Sequence, residues 1–185
     1  MLVPFLWMVC IQEIGLSLAV EHGLLKTTGL FYNIYAPVCA TVFAFIFYRI
    51  SINAPLRKLI SWLYSVYLII TIITFVFILP ISKYNSYLSL ASGFVVTCCG
   101  IFFLFNYFNL DSPEEERKWF PVIPITVGIV SFYPVVNISF AFYKYLLSHD
   151  AIVFGTPLYK LIPRFMSIFM YSCFIYAFYL CKKKN

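Results

Sequence analysis

The chain has 185 residues; 63% are apolar by type and 11% are charged, with 13 basic and seven acidic side chains. A soluble domain carries about a quarter charged residues, so these figures exclude a water-soluble fold, and the apolar content excludes disorder. Nucleic acid is excluded as a partner despite the net charge of +6, because no single element carries a basic stripe.

What remains is an all-α, polytopic membrane bundle, and the charges mark its spans. Twenty-two uncharged residues separate Lys26 from Arg49, 24 separate Lys58 from Lys83, and 27 separate Lys83 from Asp111. Twenty-five lie between Lys118 and Lys144, and 17 between Arg164 and Lys182. A spanning helix needs about 20 mostly apolar residues, so each run predicts one helix. With the apolar N-terminal segment this gives six, at about 1–20, 29–48, 59–80, 87–108, 119–142 and 164–181, in one domain without a soluble part.

The first segment is apolar except for Gln12, Glu13 and Ser17. It lacks a basic leader and a small-residue cleavage site, which favours a retained helix over a signal peptide. Its abrupt apolar start fits a further helix upstream or an alternative start. Glu13 is the single charged side chain deep inside a span, and a carboxylate there is a functional-site expectation by default. The competing reading is a protonated Glu13 that locks helices by hydrogen bonding.

In the second span Asn33 opens a stripe that continues through Ala36, Ala40 and Ala44. Small residues one turn apart let helix backbones approach closely, and Pro37 kinks the same helix. The third span is apolar on nearly every side across Ile69–Leu79. That pattern fits a helix and not the alternating strand of a barrel. The fourth carries Ser89, Gly93, Thr97 and Gly100 one turn apart, a second packing stripe.

After it, Asp111-Ser112-Pro113 followed by three glutamates predicts a capped helix start for the fifth span. Pro124 and Pro134 bend that span, and Asn137 is its costly polar group. Kinked helices around Glu13, Asn33 and Asn137 are expected to enclose a small polar cavity. The 145–163 loop holds Ser148-His149-Asp150 and the apolar Ile152-Val153-Phe154, which suits an interfacial or re-entrant segment. Aromatics near the predicted ends read as a belt, and those from Phe165 to Tyr179 as packing and lipid contact rather than a ligand cage.

Eight basic residues fall on the face of the two termini and five on the other, so both termini are expected in the cytoplasm. The six cysteines show no Cys-x-x-Cys and read as small apolar residues, with no disulfide framework. His22 and His149, each beside an acid, form a zinc or pH-sensing pair only if folding joins them; their spacing carries no metal signature. No catalytic or phosphate-binding motif is present, and no cofactor is expected.

Several short motifs carry a resemblance. Gln12-Glu13-Ile14-Gly15, Tyr32-Asn33-Ile34-Tyr35, Tyr48-Arg49-Ile50 and Phe105-Asn106-Tyr107-Phe108 lie in the first four spans. Trp119, Gly128-Ile129 and Phe132-Tyr133 follow in the fifth. With these the chain resembles a group of small bacterial membrane proteins of six or seven spans whose activity is not settled. The resemblance implies the architecture and a bacterial inner membrane, and adds no mechanism.

The sequence fits best a sensory, scaffold or partner-binding membrane module. The expected partners are the lipid bilayer and either another protein or a second copy of the chain. A small oligomeric transporter or channel using Glu13 and Asn137 ranks second, because a lone buried carboxylate suits a path better than catalysis. An intramembrane enzyme acting on a lipid-like substrate, with Glu13 or His149 as base, ranks third.

Overall fold

A computed structural model describes residues 2–23, 29–51, 53–78, 85–110, 113–149, 152–153 and 155–184. The fold is an all-α bundle with six helices long and apolar enough to cross a membrane. It is a multi-pass membrane protein. The spanning helices are α1 (Leu2–Glu21), α2 (Gly29–Ile50), α3 (Ala54–Ile73), α4 (Ser86–Phe108), α6 (Val122–Ala141) and α8 (Leu158–Lys184). Two short helices lie between them, α5 (Pro113–Trp119) and α7 (Tyr143–Ser148).

Two spans begin earlier than charge spacing predicts. Helix α3 starts at Ala54, with Pro55 in its first turn, and takes in Arg57 and Lys58. Helix α8 starts at Leu158 and takes in Lys160 and Arg164. Long basic side chains at a helix end carry their charge outward along an apolar stem, so charge marks the membrane edge and not the helix end. Helix α3 ends in a wider π turn over Thr74–Ile78; the predicted end at residue 80 lies outside the described residues.

The acidic run does not start the fifth span. Pro113–Trp119 is a separate helix, with Glu114, Glu115 and Glu116 in its first turn and Arg117 and Lys118 in its last. The chain breaks at Phe120 and Pro121 before α6 begins, because a proline has no N–H to continue the ladder. The expected caps Asp111 and Ser112 lie outside the described residues. In the 145–163 loop, Ile152–Val153 pairs antiparallel with Thr156–Pro157 in a short hairpin. Gly155 turns it at φ 71°, in the left-handed region where a side chain is unfavourable.

Packing follows the small residues. Helices α8, α6, α4 and α2 form a continuous row, with α3 against α2 and α4. Ala36, Ala40 and Ala44 are buried on α2, and Gly93, Thr97 and Gly100 on α4. A methyl group added at Gly93 would lie 2.6 Å from the Asn137 side chain on α6. One added at Gly100 would lie 2.6 Å from Val130 and 3.3 Å from Thr126, also on α6. At Gly128 it would meet Cys173 and the Met170 backbone on α8 at 3.1 and 3.3 Å. Such spacing is how apolar helices gain dispersion energy where lipid offers no hydrophobic drive between them.

Cross-helix bonds fix the helix directions. Asn33, early in α2, accepts from the Asn85 N–H at the start of α4 at 2.9 Å, so these helices are parallel. Asn137, late in α6, donates to the Leu90 carbonyl early in α4 at 3.1 Å, so that pair is antiparallel. At the opposite end the Asn53 and Asn106 side chains bond at 2.6 Å, joining the start of α3 to the end of α4.

Candidate functional site

Helix α1 flanks the row at a distance that leaves room. It is joined mainly through side chains: Phe5 and Val9 are buried in the core cluster, and Phe5 meets Phe43 edge-on at 5.4 Å. Between α1 and the cavity-facing sides of α2, α4, α6 and α8 lies a cavity of about 1390 Å³. Ordinary small-molecule sites span about 300–1,000 Å³, so this cavity has room for a molecule larger than most.

The polar groups of the cavity wall gather toward one end, where they are mixed with Val20, Phe140 and Pro163. At the end where α2 and α8 begin, its wall includes Tyr32, Ser89, Asn137, Tyr159 and Lys160. Toward the other end its wall includes Phe5, Leu6, Phe43, Phe132 and Phe174. Lys160 is exposed at the polar end, with its Nζ 5.8 Å from the Tyr159 ring centre.

Half-way along the helices sits a cluster of hydroxyls and one thiol. The Cys39 thiol and the Tyr133 hydroxyl lie 2.7 Å apart. The Tyr35 hydroxyl reaches the same thiol, and Tyr171 from α8 faces this group. Cys39, Tyr133 and Tyr171 occupy the central turns of α2, α6 and α8. Polar groups at that depth are costly unless they meet one another or a ligand.

Glu13 opens onto this cavity. Its side chain is exposed, and its Oε2 accepts a long 3.4 Å bond from the Tyr32 hydroxyl. Tyr35 and Tyr171 both lie within range of its charge. Glu13 thus makes one long hydrogen bond across from α1 to α2 on an open side of the cavity. No basic side chain among the described residues pairs with it. Gln12 beside it is half-buried, with its Nε2 lacking a partner among the described residues. The side chain of Ser17 lies outside the description.

The three polar residues expected to enclose one cavity divide. Glu13 and Asn137 line it, whereas Asn33 is turned away and holds the first N–H of α4. Asn85 in turn caps α4, accepting from Tyr87 at 3.1 Å and Leu88 at 3.3 Å. The polarity of Asn33 is thus spent on a helix terminus, whose N–H groups have no partner within the helix. Tyr171, read from the sequence as packing or lipid contact, lines the cavity instead.

The two histidines do not converge on a metal site. His22 lies in an exposed turn after α1. His149 stacks on Tyr145 with ring centres 4.2 Å apart, and its Nδ1 is held by Ser148 and the Tyr145 carbonyl, each at 3.1 Å. Among the described residues no three His, Cys, Asp or Glu side chains gather as a metal would need; Asp150 lies outside them.

No family model, curated protein or solved structure matches the chain. The functional reading rests on the cavity itself.

Proposed function

We propose that the protein is a noncatalytic, sensory membrane module that takes an amphiphilic, lipid-like molecule into the cavity beside α1. The observation that carries this reading is the gradient along the cavity wall, from Ser89, Asn137 and Lys160 at one end to Phe5, Phe43 and Phe174 at the other. An amphiphile matches such a gradient with its head and its chain. The absence of a histidine or a second carboxylate among the described lining residues favours binding over catalysis, which needs more than one positioned group.

A photoactivatable fatty acid tests this reading. It should cross-link to the cavity faces of α1 and α8, around Cys10 and Met170, and Ser167→Trp should remove most of the labelling by filling the space. Labels spread evenly over the lipid-facing surfaces, unaffected by Ser167→Trp, would contradict it.

A small oligomeric transporter is the second reading. It is favoured by Glu13 on α1 and Asn137 on α6 lining the same cavity. Transport of the photoactivatable amphiphile by reconstituted protein would separate carrier from sensor. We read the compartment as a bacterial inner membrane, on the motif resemblance alone. We read both termini as cytoplasmic, on the excess of basic residues at their face. Reporter fusions at Asn185 and in the 145–163 loop should report opposite sides, with Asn185 in the cytoplasm; a periplasmic Asn185 would reverse the orientation.

A further inference from the structure

Two opposite charges share the polar end of the cavity. Glu13 lines it from α1 and Lys160 from α8. Their levels follow from the contacts between helices. Gly128 on α6 faces the Met170 backbone on α8, the next span of the chain, which runs back beside it. Asn137 lies nine residues beyond Gly128, and Lys160 lies ten before Met170. At 1.5 Å per residue both stand about 14–15 Å from that contact, so Lys160 is level with Asn137. Asn137 in turn reaches the Leu90 carbonyl, five residues past the Asn85 N–H that Asn33 accepts. Tyr32, next to Asn33, therefore lies about 8 Å further toward the same end. Its hydroxyl holds Glu13 at 3.4 Å.

The two charges do not satisfy each other. Glu13 meets the Tyr32 hydroxyl, the Lys160 ammonium lies 5.8 Å from the Tyr159 ring centre, and no ion pair joins them among the described residues. Ionisable groups inside a membrane protein pair with one another or mark the place of a ligand. A fatty acid would satisfy Lys160 and be repelled by Glu13. A hydrophobic amine would satisfy Glu13 and be repelled by Lys160. A head whose phosphate and amine are a few bonds apart meets both charges, and the flexible lysine stem takes up the difference in level.

We infer that the cavity binds a zwitterionic amphiphile with a phosphate–amine head, its ammonium on Glu13 and its phosphate on Lys160, with the chain toward Phe5, Phe43 and Phe174. This inference rests on the amphiphile-binding reading above and adds the charge pattern of the head group. The zwitterion brings no net charge into the bundle, and each of its charges meets an opposite one.

Calorimetric titration of the full chain in non-ionic dodecyl maltoside micelles tests it, with partitioning into protein-free micelles subtracted. The probes are dodecylphosphocholine, dodecyl phosphate and dodecyltrimethylammonium, which share a chain and carry both charges, the negative one or the positive one. The wild type should bind dodecylphosphocholine about tenfold more tightly than either other probe, the scale of one added charge-assisted contact. Glu13→Gln should erase its advantage over dodecyl phosphate, and Lys160→Met its advantage over dodecyltrimethylammonium. Both side chains are exposed; should Glu13→Gln fail to fold, Lys160→Met carries the test alone. Equal affinities for all three probes would show Glu13 and Lys160 satisfied by each other, overturning the zwitterion and leaving the amphiphile site standing. Tightest binding of a singly charged probe would overturn it too. Binding of none would remove the site and the inference together.

Discussion

Helices α1 and α8 are both peripheral, and they are attached in opposite ways. About the same share of each most apolar window is buried, 18% in α1 and 17% in α8. Yet α8 presses its backbone onto α6 at Gly128, where the Met170 carbonyl stands 3.3 Å from the place of a missing methyl group. Helix α1 has a glycine too, Gly15, and nothing lies within 4 Å of its methyl position. The glycine of α6 makes a contact and the glycine of α1 leaves a space. Burial alone does not tell a docked helix from one that walls a cavity; the distance at its small residues does.

The largest expected effect falls on the docked side. Gly128→Leu should drive α6 from α8, because the obstacle is backbone that has no rotamer to change. A loss of about 3 kcal/mol or more is expected, at the upper end of overpacking costs, and thermal melting in detergent would read it. Gly93→Leu and Ala40→Leu should each cost about 1–3 kcal/mol by overpacking, with the Asn137 side chain the neighbour that must yield at Gly93. An unchanged melting temperature in all three would mean that these faces look at lipid.

Asn33→Leu comes next. It leaves the buried Asn85 N–H without its acceptor, at a cost of about 1–3 kcal/mol. Loss of ligand with no loss of stability in this variant would return Asn33 to the binding site. On the α1 side the effects should be small or reversed. Gly15→Ala should hold or raise the melting temperature, because alanine favours a helix by about 1 kcal/mol over glycine and meets no neighbour. A strong destabilisation by Gly15→Ala would show that α1 is docked as tightly as α8.

The spans were legible because charges are rare enough to act as boundaries, and the packing stripes were legible because glycine and alanine one turn apart have few other uses in an apolar helix. The starts of α3 and α8 were not, since Arg57, Lys58, Lys160 and Arg164 sit within helices whose ends their side chains overhang. The centre of the cavity was legible only at Glu13, whose charge stands out. Tyr35, Tyr133 and Tyr171 lie on three different helices. Each reads alone as one more aromatic among the 39 of the chain; Tyr35 stands one helical turn before Cys39, and tertiary packing adds Tyr133 and Tyr171 to the group. Asn33 failed in the opposite sense: its cost was visible, while the backbone N–H that it serves lies 52 positions away.

Native cysteines on both sides of the comparison allow the most direct test. Cys10 is exposed and lines the cavity beside α1, whereas Cys99 is fully buried in α4 within the packed row. Timed labelling with a small maleimide, resolved by peptide mass spectrometry, should modify Cys10 well before Cys99, and a saturating concentration of the fatty acid should slow Cys10 alone. Equal rates at the two thiols, or a Cys10 rate indifferent to the amphiphile, would contradict an accessible ligand cavity between α1 and the rest of the bundle.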